Sequence, residues 1–125
     1  MVKAVEIAGR EVGPGQPCFI IAEAGVNHNG DLEMAKSLVE AATEAGADAV
    51  KFQTFNAENL LTASAPKADY QLQTTDVAES QLDMLRRLEL SLEDHRLLQN
   101  YCHERNIMFM SSIFGEESAD LLAGL

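Results

Sequence analysis

Ile20-Ile21-Ala22-Glu23-Ala24-Gly25-Val26-Asn27-His28-Asn29-Gly30-Asp31 is the stretch on which the reading of this chain turns. Its first five residues belong to the continuous apolar run from Cys18 to Ala24, of the kind found where both faces of a parallel sheet are covered. That run takes in a carboxylate at Glu23 and then breaks into glycine, asparagine and histidine. Asn29-Gly30 is a strong turn signal. Asp31 is placed to cap a helix, and Glu33 falls in the first turn, where negative charge suits the helix dipole. Leu32, Ala35, Leu38, Val39 and Ala42 recur at helical spacing, and Gly46 stands where a glycine ends such a helix.

Outward from this strand and helix the pattern repeats. Ala49-Val50-Lys51-Phe52-Gln53-Thr54-Phe55 reads as a second strand, with Lys51 and Gln53 on one face and Val50 and Phe52 on the other. Residues 56–77 show little periodicity, and a loop that long in a compact domain is usually functional or mobile. Helices are predicted from about Glu79 to Leu88 and from about Leu92 to Arg105. The second is preceded by Ser91-Leu92-Glu93-Asp94, which resembles a capping box. Ile107-Met108-Phe109-Met110-Ser111-Ser112 is a third strand, with its methionines read as core packing, and Glu116 to Leu122 a further helix. Upstream, glycine and proline at Val12-Gly13-Pro14-Gly15-Gln16-Pro17 mark a turn, and a small hairpin is expected from about Lys3 to Val12. The order is an N-terminal hairpin and then β-α-β-α-α-β-α, which implies a parallel sheet. Three such units make about three-eighths of a (β/α)8 barrel of ~250 residues. The expected fold class is α/β, a hairpin over about 1–17 and the first three β/α units over about 18–125, and the pattern reads as a fragment of a barrel.

The 125 residues give room for one domain with a core of ordinary size. A hydrophobic fraction of 46% with 23% charged residues belongs to a globular protein and not to a disordered one. No apolar run reaches membrane-spanning length and no secretory leader is evident, so a cytoplasmic protein is expected. A net charge of −11 disfavours nucleic acid and anionic membrane as partners. A locally positive site for a small anion remains compatible with it. Cys18 and Cys102 fit no metal-ligand spacing and read as buried reduced thiols.

Ligands of parallel α/β folds bind at the carboxyl ends of the strands. All three predicted strands carry polar residues there: Glu23, then Lys51 and Gln53, then Ser111 and Ser112. Each has a plain alternative. Glu23 and Lys51 form either a structural salt bridge or a shared site, and a strongly hydrated lysine ammonium is costly on a strand without an anion to meet. Ser112 precedes a helix whose N-terminus is a natural phosphate seat, yet serine at a strand end is common. Asn27, His28 and Asn29 serve equally as turn residues. A lone loop histidine reads as structural rather than as a metal ligand. His95 and His103 are expected on a solvated helix face, as are the acidic residues from Glu33 to Asp48.

Ile21-Ala22-Glu23-Ala24-Gly25-Val26-Asn27-His28-Asn29-Gly30, followed by Ala45-Gly46-Ala47-Asp48-Ala49-Val50-Lys51-Phe52-Gln53-Thr54, closely resembles the sialic acid synthase family. The resemblance covers essentially the whole chain and takes in N-acetylneuraminate, legionaminate and pseudaminate synthases and spore-coat polysaccharide proteins. It implies a (β/α)8 barrel preceded by a hairpin, a C-terminal antifreeze-like domain that is absent here, and a homodimer. The implied activity is condensation of phosphoenolpyruvate with an N-acetylated amino-sugar, resembling N-acetylmannosamine, to a nine-carbon sugar acid.

Carried over by motif, Glu23 matches a strand-end glutamate that contacts the acceptor sugar. Lys51 matches the lysine that binds phosphoenolpyruvate, and these two are the candidate catalytic residues. Gln53 matches a glutamine near the substrates. Ser112 falls where the family has the threonine of a Ser-Thr-Pro-Phe motif, read here as Ser111-Ser112-Ile113-Phe114 without the proline. Thr74 aligns near a sugar-contacting asparagine, a departure. Lys67-Ala68-Asp69-Tyr70-Gln71 and Glu79-Ser80-Gln81 resemble the bacterial legionaminate and spore-coat branches. A divalent metal, manganese or magnesium, is implied for the parent enzyme with its ligands on later strands, so no metal residue is assigned here and the fragment alone is expected to be inactive. The alternative is a non-catalytic module that binds an anion or a protein through exposed sheet edges. A related aldol-type synthase making an eight-carbon or aromatic-pathway acid fits the Asn27-His28-Asn29-Gly30 block less well.

Overall fold

The computed structural model describes residues 2–60, 69, 73 and 80–125. Thr74, and with it most of the Lys67 to Gln71 block, lies outside the described residues. The chain opens with an antiparallel hairpin of β1 (Val5–Ile7) and β2 (Arg10–Val12), paired Val5 to Val12 and Ile7 to Arg10. Its turn is Ala8-Gly9, and both residues have positive φ, at 48° and 80°. Two left-handed turn residues match the twist of a two-residue hairpin. The proline- and glycine-rich residues 13–17 form the connection to the sheet.

The sheet has three parallel strands in the order β3 (Ile21–Gly25), β4 (Ala49–Thr54), β5 (Met108–Ile113). Between β3 and β4 runs α1 (Leu32–Glu44), and between β4 and β5 run α2 (Ala57–Leu60), α3 (Gln81–Leu88) and α4 (Leu92–Glu104). The last helix is α5 (Glu116–Ala123). The short α2 breaks the stretch expected to be loop, while the other helices fall within two residues of their predicted ends. Local chemistry explains those ends. The Asp31 side chain accepts from Met34 N at 2.9 Å, and Ser80 does the same for Asp83 N at 3.1 Å. Ser91 and Asp94 cap each other's backbone N–H groups reciprocally.

The first core strand is shorter than expected. Cys18 is exposed and outside the strand, and Ile20 and Ile21 keep 50% and 43% of their surface. β3 is paired with β4 alone among the described residues, and only its helix-facing side is covered, so the apolar run does not mean burial on both faces. Covered instead is the layer between sheet and helices. Val39 of α1, Val50 and Phe52 of β4, Leu98 and Cys102 of α4, and Ile107 meet there. Phe52 stacks on Phe109 with ring centroids 5.9 Å apart. Burial of a phenylalanine such as Phe52 contributes about 2–3 kcal/mol.

Two acidic residues expected on a solvated face instead hold elements together. Asp48 accepts from Ile20 N at 2.7 Å and pairs with Arg10, which fastens the hairpin to the sheet. The Ile20 hydrogen bond first, and Arg10 second, hold its carboxyl below the usual carboxylate range. Glu40 of α1 accepts from Tyr101 Oη at 2.5 Å and Arg105 Nε at 2.6 Å, both from the end of α4. His95 is buried as well, because it stands three and seven residues before Leu98 and Cys102 on the inner face of α4.

Candidate functional site

Side chains alternate across a strand, and residues opposed in register share a face. Four rows follow from the pairing. Glu23, Lys51 and Met110 are opposed across β3, β4 and β5, and Gln53 is opposed to Ser112 one step further toward the carboxyl end. All lie on the sheet face away from the helices. Phe52 is opposed to Ser111 and Thr54 to Ile113, which puts Ser111 and Thr54 on the helix side. The two serines at the end of β5 therefore point opposite ways. Met108 and Met110 are half-buried on the open face, and only Phe109 between them packs into the core. The reading of both methionines as core is corrected on that point.

Lys51 Nζ lies 2.9 Å from Glu23 Oε2, with one third of the lysine and half of the glutamate side chain exposed. The pair is open to solvent at the rim. A bulge between Glu23 and Gly25 shifts the register, and Gly25 takes φ of 55°. A Cβ there would stand 3.3 Å from Glu23 Oε1 and 3.6 Å from Gln53 Nε2. Glu23 and Gln53 thus converge over a backbone that has no side chain of its own. The arrangement offers one ammonium, one amide, one carboxylate and one hydroxyl from three neighbouring strands, enough to hold an anion beside a polar partner.

Behind this face lies a set of residues of which the sequence pattern had placed only Ser111 at the site, beside Ser112. His95 Nε2 is 2.8 Å from Thr54 Oγ1, which is 2.6 Å from Ser111 Oγ, and His95 Nδ1 is 2.8 Å from the Ser91 carbonyl. The signal for it was present in the sequence as the stripe His95, Leu98, Cys102. His28 is fully buried, and its Nδ1 accepts from Gly30 N at 2.9 Å, so it shapes the turn after β3. Burial, then the nearby His95, push the His28 pKa down, and Asp94 opposes the shift. The start of α5, offered by the sequence as an anion seat, carries Glu116 and Glu117 in its first turn, which oppose an anion there. Among the described residues no cluster of three His, Cys, Asp or Glu side chains is arranged to hold a metal ion.

A family model described as the NeuB family matches residues 38–125, more than half of the chain. The chain belongs to the NeuB family. This NeuB-family chain is 54% identical over 113 residues to the N,N'-diacetyllegionaminic acid synthase of Legionella pneumophila, a match covering 90% of this chain and 32% of that protein. Its fold superposes with a TM-score of 0.78 on the N-acetylneuraminic acid (sialic acid) synthetase of Leptospira borgpetersenii, at 26% identity, over 98% of this chain and 38% of that one. The spore coat polysaccharide biosynthesis protein SpsE of Bacillus subtilis matches with a TM-score of 0.71 and 40% identity, over 98% of this chain and 31% of that one. The chain thus spans about a third of the length of the curated relatives it matches. Its parallel three-stranded sheet with a leading hairpin is a partial (β/α)8 barrel. No helix among the described residues is long and apolar enough to cross a membrane.

Proposed function

We propose that this NeuB-family chain is the N-terminal portion of a synthase that condenses phosphoenolpyruvate with an N-acetylated amino-sugar to a nine-carbon sugar acid, releasing phosphate. The observation that carries the reading is the in-register Glu23–Lys51 pair at the open rim, with Gln53 and Ser112 on the same face. Phosphoenolpyruvate bears a carboxylate and a phosphate. Lys51 supplies a point charge for it, and Ser112 and Gln53 supply neutral donors, which hold an anion without neutralising it. Glu23 accepts hydrogen bonds from the sugar, and its charge keeps the ammonium of Lys51 in place until the anion arrives. In the bond-forming step C3 of phosphoenolpyruvate attacks the aldehyde carbon of the open-chain sugar. Water adds at C2, and the C2–O bond to phosphate breaks.

Thr74 remains a proposed sugar contact. A divalent metal, if the reaction uses one, is held by residues outside this segment, because Glu23 is the sole carboxylate of the site among the described residues and is paired with Lys51. In this reading the whole protein is a cytoplasmic homodimer, and residues 1–125 alone bind but do not turn over. Titrating phosphoenolpyruvate into the chain, followed by NMR, tests the reading. Saturable shifts at Lys51, Gln53 and Ser112 support it, and their absence in the unaltered chain overturns it. Sustained phosphate release from phosphoenolpyruvate, N-acetylmannosamine and manganese by the chain alone would overturn the inactivity.

A second reading is favoured by one observation. The outer edges of β3 and β5 are unpaired among the described residues, and Ile20, Ile21, Ile113 and Phe114 beside them are exposed. Such edges invite pairing with another chain. A stable dimer by size-exclusion chromatography, without phosphoenolpyruvate binding, would support a non-catalytic module.

A further inference from the structure

The hydrogen-bonded series Ser91–His95–Thr54–Ser111 has a direction that follows from the tautomer of His95. The Ser91 carbonyl can only accept, so His95 Nδ1 carries the proton. In the neutral ring Nε2 is then a bare acceptor, and the Thr54 hydroxyl donates to it. With its proton committed, Thr54 Oγ1 accepts from Ser111. His95 and Thr54 are 1% and 2% exposed, so water does not compete for either. Such a series is worth more than its separate bonds in a low-dielectric interior.

Its place in the sheet gives it a use. Thr54 directly follows Gln53, and Ser111 directly precedes Ser112. Gln53 and Ser112 are opposed in register on the open face, while Thr54 and Ser111 meet on the helix side. A side chain held on one face of a strand sets the backbone rotation, and so the aim, of its neighbour on the other. We propose that His95, Thr54 and Ser111 are positioning residues. Anchored to the first turn of α4, they lock the carboxyl ends of β4 and β5 together and so aim Gln53 and Ser112 at the ligand. The inference rests on the phosphoenolpyruvate reading for the ligand's identity but not for the geometry.

Three forms of the isotope-labelled chain test it: unaltered, Thr54→Val and Thr54→Ser. Valine keeps the shape and loses the hydroxyl, whereas serine keeps the hydroxyl. Long-range proton–nitrogen NMR on the unaltered chain should place a ring proton on Nδ1 of His95, and a proton on Nε2 instead would overturn the assigned direction. Thr54→Val should shift the Gln53 side-chain amide and the Ser112 backbone amide and weaken phosphoenolpyruvate binding roughly three- to tenfold, the worth of about one hydrogen bond. Thr54→Ser should restore both. Signals and affinity unchanged in Thr54→Val, or no recovery in Thr54→Ser, would overturn the proposal. Should Thr54→Val not fold, Ser111→Ala removes the outer hydroxyl and is judged by the same signals. If the unaltered chain takes up no phosphoenolpyruvate, the functional reading fails, and the positioning proposal stands or falls on the Gln53 and Ser112 signals alone.

Discussion

Glu23 and Lys51 stand opposite each other in the register of β3 and β4, and their charges meet 2.9 Å apart at the open end of the sheet. A partly exposed pair of this kind contributes only about 0.2–1 kcal/mol to stability. Lys51→Met should therefore leave the thermal midpoint nearly unchanged while reducing phosphoenolpyruvate binding by at least about tenfold. Calorimetric titration beside a thermal melt checks both halves. A large loss of stability with little change in affinity would mean that the pair is structural.

Two glycines separate the needs of the fold from those of the site. At Gly30, with φ of 76°, an added Cβ would stand 2.0 Å from the Arg87 carbonyl oxygen, a backbone atom that cannot yield locally. Gly30→Ala should cost about 2–4 kcal/mol, from crowding and left-handed strain together. At Gly25 the nearest atoms are flexible side-chain ends. Gly25→Ala should cost about 1 kcal/mol in stability yet displace Glu23 and Gln53, so ligand affinity falls out of proportion. Denaturant unfolding of both variants, with a binding titration of Gly25→Ala, checks the contrast.

The hairpin is joined to the sheet by a carboxylate, so acid should release it. The Asp48 pKa is lowered in the folded chain relative to about 4 when unfolded. Its contribution is complete above about pH 4 and is lost as pH falls through the folded value. Asp48→Asn should weaken the hairpin's attachment at neutral pH and remove this part of the acid dependence, read by amide exchange at Ile7 and Ile20. His28 acts in the same direction at higher pH. Its lowered pKa makes the folded state lose stability as pH falls below about 6.5, because the unfolded chain takes the proton first. An NMR titration of the His28 ring would show the shift directly.

The two thiols should behave differently. Cys18 is exposed, whereas Cys102 is fully buried and desolvation pushes its pKa up to about 11. A thiol reagent at neutral pH should modify Cys18 alone in the folded chain and both in denaturant. Two equally fast thiols under native conditions would contradict the packing of α4.

By itself the sequence determined the order of the strands and of the described helices other than α2, the capped helix starts at Asp31 and Ser91, and the alternation that puts Lys51 and Gln53 on one face of β4. These depend on neighbours a few residues apart, and short-range steric and hydrogen-bonding rules suffice for them. The Glu23–Lys51 pairing needed the register of two strands, which the sequence left open between a structural bridge and a shared site. Tertiary structure alone decided the rest. Cys18 and Ile20 lie beyond the strand because β3 has a single strand partner among the described residues and cover on one side only. His95 is buried because α4 turns that stripe toward β4, where Thr54 hydrogen-bonds its Nε2 and is itself hydrogen-bonded to Ser111 of β5. Asp48 and Glu40 left the solvated face because each met donors from distant parts of the chain, 28 and 38 residues away for Asp48 and 61 and 65 for Glu40. Polar residues such as these take their roles from partners that only folding brings within reach.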